Sequence, residues 1–124
     1  MITGVGIDSV QVDRIRRASR RWGKSFLRKL FTAAELKYCF THANPYPSLA
    51  ARFAAKEAVL KALDVKAMWK WRDMEVLRAR SGRPSMRLTG RAAAFVRKQR
   101  VRTFQISLTH DADRATAVVL AVRA

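Results

Sequence analysis

The sequence predicts an α+β fold, an antiparallel sheet with helices packed on one side, and three observations carry that reading. Residues 104–109 alternate apolar and polar side chains, residues 116–122 form a β-branched run, and the polar stretch between them reads as a hairpin loop. Met74–Arg78 and residues 85–88 flank Ser81-Gly82-Arg83-Pro84, which supplies turn chemistry for a second hairpin. Residues 48–63 are rich in Ala, Leu, Lys and Glu without an internal Gly or Pro, the composition of a strong helix. Hairpins segregated from helices argue against a doubly wound parallel sheet.

Taken in order, Ile2-Thr3-Gly4-Val5-Gly6-Ile7-Asp8 alternates apolar and small residues and predicts a short strand ending at Asp8. Val12, Ile15, Ser19 and Trp22 recur at helical spacing, with basic residues on the other faces, and that helix is expected to end near Gly23. Thr32-Ala33-Ala34-Glu35 has the pattern of a capping box, opening a short helix through roughly Phe40. Asn44-Pro45-Tyr46-Pro47 breaks the chain before the helix over 48–63. Gly90–Lys98 reads as a further helix between the two hairpins. With 124 residues and no internal repeat, low-complexity tract or long linker, residues 1–124 are expected to form a single domain.

Composition narrows the class of function. No apolar run reaches the ~18 residues that cross a bilayer, and the opening residues lack a basic region followed by an apolar stretch and a cleavage site. Cys39 is the one cysteine, cannot form an internal disulfide, and reads as a small half-buried hydrophobe. These features fit a cytoplasmic protein without a membrane partner. The charge is unusual: 26 Lys and Arg against 9 Asp and Glu give a net +17. Such a surplus implies an acidic partner, whether nucleic acid, anionic membrane, acidic protein or phosphorylated ligand.

The central helix holds the most specific pattern. Glu57 and Lys61 are four apart and share a face, either as an exposed ion pair or as part of a site. Arg52 and Lys56 are also four apart, a like-charge pair that gains nothing unless an anion sits against it. Asp8, at the end of an apolar strand, is either a cap for the following helix or a metal ligand. Magnesium takes one or two protein carboxylates and completes its octahedron with waters and phosphate oxygens. Asp8 and Glu57 would supply that pair, with Arg52, Lys56 and Lys61 balancing phosphate charge. His and Cys are too few for a zinc site. His110 closes an alternating strand, where a lone His is either structural or part of a site; His42 has no comparable context.

Three segments together resemble the holo-acyl-carrier-protein synthases, the small 4′-phosphopantetheinyl transferases. They are Gly4-Val5-Gly6-Ile7-Asp8, then Arg52-Phe53-Ala54-Ala55-Lys56-Glu57-Ala58 with Lys61, and Ser107-Leu108-Thr109-His110. Phe31-Thr32 with Glu35, Asp73-Met74-Glu75-Val76 and Gly82-Arg83-Pro84 add to the similarity, which spans nearly the whole chain. The resemblance implies transfer of the phosphopantetheine arm of coenzyme A to a serine of an acyl carrier protein, releasing adenosine 3′,5′-bisphosphate. It implies Mg2+ on Asp8 and Glu57 at the coenzyme A pyrophosphate, and Lys61 neutralising charge at the transferring phosphate. Glu57, directly or through a metal-bound water, would be the base for the serine hydroxyl. Arg52, Lys56 and His110 would contact coenzyme A phosphates, and Gly82, Arg83 and Pro84 would lie near its adenosine end.

Arg14, Arg17, Arg21 and Lys24 recur at three- or four-residue spacing and form one basic face of the first helix. The resemblance makes this the docking surface for an acidic carrier, with Arg14, Arg21 and Lys24 matching best, and implies a homotrimer with sites at subunit boundaries. One departure stands out: Lys61-Ala62-Leu63-Asp64-Val65-Lys66 replaces a Gly-rich turn, and Asp64 would repel a phosphate. Met68-Trp69-Lys70-Trp71 reads as core or interface, or else as a stacking platform. A non-catalytic nucleic-acid-binding domain is the competing reading of the charge. The chain carries no RNA-binding, helix-turn-helix or zinc pattern to support it. A relative serving specialised polyketide or peptide carriers, rather than fatty-acid biosynthesis, is the other alternative.

Overall fold

Two glycines in the first strand set the architecture. In the computed structural model, which describes residues 1–66 and 68–123, strand β1 (Ile2–Gln11) runs directly beneath the long helix α3 (Tyr46–Leu63). A Cβ at Gly4 would lie 1.9 Å from the Ala62 carbonyl oxygen, and one at Gly6 would lie 1.9 Å from that of Ala58. Only a residue without a side chain permits that approach of backbone to backbone. The helix answers in kind, burying Ala50, Ala51, Ala54, Ala55, Ala58 and Ala62.

β1 pairs antiparallel with β5 (Arg114–Arg123), and β5 with β4 (Val101–His110), giving a three-stranded sheet in the order β1-β5-β4. Register places Asp8 opposite Ala117, and Ala117 opposite Leu108. Ala115, Ala117, Val119 and Ala121 of β5 are fully buried, as expected of the sheet face that period-2 alternation turns toward α3. Val5 and Ile7 alternate to the other face and are 62% and 60% exposed. A separate hairpin joins β2 (Met74–Arg78) to β3 (Pro84–Leu88).

The remaining helices complete the core around α3. Helix α1 (Val12–Leu30) is bent at Gly23, which takes φ 70° and ψ −155°; α2 (Ala33–Cys39) opens on the expected capping box, Thr32 and Glu35 satisfying each other's backbone N–H groups. Helix α4 (Gly90–Lys98) follows the hairpin, and a 3₁₀ turn over Trp71–Asp73 precedes it. Phe31, Leu49, Val59 and Met74 are among the fully buried side chains.

The α+β class, the hairpins and the helices are as expected, and several boundaries differ. β1 continues to Gln11, so Asp8 sits within the strand rather than at its end. Gly23 bends α1 without ending it, because the chain resumes helical geometry and buries Leu27. Trp22, expected on the buried stripe, is 60% exposed beneath the Arg21 guanidinium; the bend next to it passes burial on to Leu27. α3 starts at Tyr46, with Pro47 in its first turn, where a missing N–H costs nothing. Trp69 packs on Phe95 at 5.5 Å and Trp71 on Phe53 at 5.3 Å, so these two rings serve the core. Asp64 ends α3 in the left-handed region (φ 56°, ψ 46°), its N–H bonded to the Leu60 and Lys61 carbonyls, so the turn closes without glycine.

Candidate active site

The glycine contact brings Asp8 of β1 beside the last turns of α3. Lys61 Nζ donates to Asp8 Oδ1 at 3.0 Å and to the Ile7 carbonyl at 3.0 Å. Glu57, one helical turn earlier, is half-buried on the same flank. Burial pushes its carboxyl above the usual carboxylate range and the Asp8 charge adds to that shift, while Lys61 and Arg14 oppose it. A half-buried Glu57 whose charge is disfavoured by burial and by the neighbouring Asp8 is a ready place for a cation. The donor set suits magnesium: oxygen ligands only, and too few for a closed protein cage. Among the described residues no third His, Cys, Asp or Glu joins them.

A second group lies on a different flank of α3. Arg52, Arg78, Arg83 and His110 line a cavity of about 430 Å³ together with Gly82 and Pro84, and no carboxylate is among its lining residues. Arg52 is only 3% exposed. Its Nη1 donates to Ser48 Oγ at 2.7 Å and to the Ser48 carbonyl at 3.3 Å, while its buried Nε has no partner among the described residues. A buried guanidinium without a counter-charge is costly, and the cost falls when an anion enters. Arg83 is held by Gln105 at 3.0 Å, and a wider groove of about 790 Å³ shares Arg83 and Pro84 with this cavity and includes Arg97 and Arg102.

Asp8, Glu57 and Lys61 are not among the residues that line this cavity. Arg52 and Glu57 are five residues apart, so their side chains leave the helix about 140° from each other. Lys56 joins neither group. Its ammonium is fully buried and donates to Glu35 Oε1 at 2.6 Å and to the Leu30 carbonyl at 2.7 Å. Glu35 also accepts from the N–H groups of Thr32 and Val76. The expected Lys56 contact with a coenzyme A phosphate is therefore corrected: the side chain is a strut between α1, α2, α3 and β2. Sequence spacing missed this because it shows neighbours on the same helix, whereas the partner, Glu35, comes from another.

The basic face of α1 is divided in the same way. Arg14 is close enough to Glu57 to lower its carboxyl, which places it at the edge of the carboxylate group. Arg21 is exposed, and Lys24, beyond the bend, borders an apolar dimple with Leu27, Leu36 and Phe40. Asp111, the acid after His110, turns its Oδ1 to the N–H groups of Asp113 and Arg114 at 2.8 and 2.9 Å and so closes the β4–β5 hairpin. Arg78 was not among the expected residues; its exposed place at the end of β2 carries no sequence signal.

Comparison with known proteins bears on the family and the fold. A family model described as the 4′-phosphopantetheinyl transferase superfamily matches residues 4–119. The chain is 43% identical over 120 residues to the holo-[acyl-carrier-protein] synthase of Chlamydia trachomatis serovar L2, covering 95% of this chain and 98% of that one. Its fold is similar to the crystal structure of the holo-[acyl-carrier-protein] synthase of Neisseria meningitidis, with a TM-score of 0.91 and 28% identity over 99% of this chain and 100% of that one. It is also similar to the Helicobacter pylori holo-[acyl-carrier-protein] synthase in complex with coenzyme A, with a TM-score of 0.83 and 28% identity over 95% of this chain and 99% of that one.

Proposed function

The chain belongs to the 4′-phosphopantetheinyl transferase superfamily as a holo-acyl-carrier-protein synthase, and on that premise we propose how its two groups of residues divide the work. The enzyme moves the 4′-phosphopantetheine arm of coenzyme A onto a serine of an acyl carrier protein. The observation that carries the proposal is the pairing of Asp8 with Glu57 under Lys61, apart from an anion-ready cavity around Arg52 and His110.

Asp8 and Glu57 would hold Mg2+, which when bound draws in the pyrophosphate of coenzyme A and offsets its charge. Lys61, anchored on Asp8, lies where negative charge gathers on the transferring phosphoryl group. Glu57, with its carboxyl held above the usual range, accepts the serine proton directly or through water. The serine oxygen forms its bond to the phosphorus bearing the pantetheine arm as the bond to the leaving adenosine 3′,5′-bisphosphate breaks. Positioning and charge stabilisation do most of the work in such a transfer. Arg52 and His110 bind the remaining phosphate, and Gly82, Arg83 and Pro84 lie beside the adenosine.

A single coenzyme A must reach both groups, whose side chains leave α3 about 140° apart. We propose that they meet across a subunit boundary in a homotrimer, formed on the sheet face that leaves Val5 and Ile7 open to solvent. Arg21 and Lys24, with Arg14 nearest the carboxylates, dock an acidic carrier and raise its association rate. No helix is long and apolar enough to cross a membrane.

The test is direct. Incubated with coenzyme A, Mg2+ and apo carriers from fatty-acid, polyketide and peptide pathways, the protein should add the mass of a phosphopantetheine group to at least one of them. Chelation should stop the reaction, and Asp8→Ala and Glu57→Ala should abolish it with circular dichroism unchanged. A full panel without mass gain would overturn the reading.

A further inference from the structure

Tyr38 of α2 does not line the Arg52 cavity, yet two of the guanidiniums that do line it rest on its ring. Arg52 Cζ lies 4.5 Å from the ring centroid and Arg78 Cζ 5.1 Å. Neither arginine makes an ion pair among the described residues. Like charges gathered on one ring are attracted by its quadrupole and not neutralised by it. The Arg78 guanidinium also lies over Gly82, where a Cβ would meet Arg78 Nη2 at 3.1 Å; Gly82 takes φ +88°, which strains any side chain. His42 packs edge-on against the same tyrosine at 5.2 Å. No hydrogen bond of the Tyr38 hydroxyl is found among the described residues, so the ring itself is what the arginines use.

We infer that Arg78 is a phosphate-binding residue of this enzyme and that Tyr38 is the positioning residue that holds it beside Arg52. The inference rests on the proposed seat of the adenosine-end phosphate of coenzyme A in this cavity. That group is a monoester dianion, and a pair of fixed guanidiniums matches its charge in a way one arginine does not. Arg52, buried and pinned to Ser48, supplies one charge; Arg78, laid on Tyr38 beside Gly82, supplies the other. Tyr38 then acts without touching substrate, by keeping the Arg78 guanidinium from dispersing into solvent.

The experiment compares coenzyme A with 3′-dephospho-coenzyme A, which lacks that phosphate, as donors to one apo carrier. Loss of one charge-assisted contact should raise KM for coenzyme A about tenfold in Arg78→Gln, leaving kcat and the KM for the dephospho donor at wild-type values. Tyr38→Leu should show the same split, and Tyr38→Phe should behave as wild type because the ring remains. Calorimetry with adenosine 3′,5′-bisphosphate against adenosine 5′-monophosphate reads the same contact without turnover, and Arg78→Gln should weaken only the former. Equal effects on both donors, no effect of Arg78→Gln, or a Tyr38→Phe as impaired as Tyr38→Leu would overturn the inference. Arg78 is on the surface, so its variant keeps the test decisive should Tyr38→Leu fail to fold. A wild-type protein inactive with coenzyme A would instead strike the proposed function.

Discussion

The Lys56 ammonium donates to the Glu35 carboxylate at 2.6 Å with both side chains fully out of solvent. Burial pulls the lysine below its ordinary range, and the Glu35 charge works against that pull. Removing one member of such a pair strands the other, so Lys56→Met should cost about 3–5 kcal/mol in urea unfolding. The protein that remains folded should keep its kcat. A variant of native stability that has lost coenzyme A binding would return Lys56 to the active site.

Gly6→Ala tests the contact between β1 and α3. Its Cβ would fall 1.9 Å from the Ala58 carbonyl oxygen, and rigid backbone cannot give way as a side chain would. The substitution should destabilise by about 3 kcal/mol or more and abolish transfer. Gly23→Ala has open space around it, so any loss there comes from the backbone alone; φ 70° with ψ −155° is a region that essentially only glycine enters, and the cost should be about 1–3 kcal/mol.

Glu57 gives a pH signature in chelator. Its folded carboxyl titrates above the ordinary value of 4.5, so between the two values the native state holds the proton that the unfolded chain has released. Stability therefore falls as pH rises through that window, and the loss is complete above the folded value. Glu57→Gln should raise the thermal midpoint at pH 7.5, change it little at pH 4, and abolish transfer. A midpoint lowered at pH 7.5 would contradict the mutual repulsion of the two carboxylates.

Val5→Asp places a charge on the exposed apolar sheet face without touching the carboxylates. Light scattering should show a trimer for the wild type and monomer for the variant, with transfer reduced at least tenfold. A monomer with full activity would show that both groups of residues serve one coenzyme A within a single chain.

Arg21→Glu should lower kcat/KM for the carrier about tenfold while leaving KM for coenzyme A unchanged, and the deficit should shrink as salt is raised. An equal effect at low and high salt would place Arg21 outside the docking surface.

Much of this was legible in the sequence. Periodicity and turn chemistry located both hairpins and α3, and the Gly-x-Gly-x-Asp opening with Lys56-Glu57 and Lys61 located the carboxylate group. What escaped was set by contacts between elements. Lys56 looked like an anion ligand because its partner Glu35 is remote in sequence. Trp22 looked like core because the bend at Gly23 redirects the buried stripe. Arg78 and Tyr38 carried no pattern, since an arginine laid on a ring from another element leaves no periodic trace. Asp64 looked like an obstacle, and it serves as a left-handed helix end, a role that Asp shares with Asn and Gly.

The bare backbone contact at Gly4 and Gly6 also bears on how partner choice can change. Asp8, Glu57 and Lys61 stand on a strand and a helix locked together, with no loop among them, so their geometry is complete before any ligand arrives. Helix α1, the proposed docking helix, is joined to that strand through Val12, and it carries its own bend at Gly23. On the proposed reading, substitutions beyond Arg14, toward the bend, would retune which carrier is recognised while Asp8, Glu57 and Lys61 keep their geometry, so chemistry and preference would vary independently there.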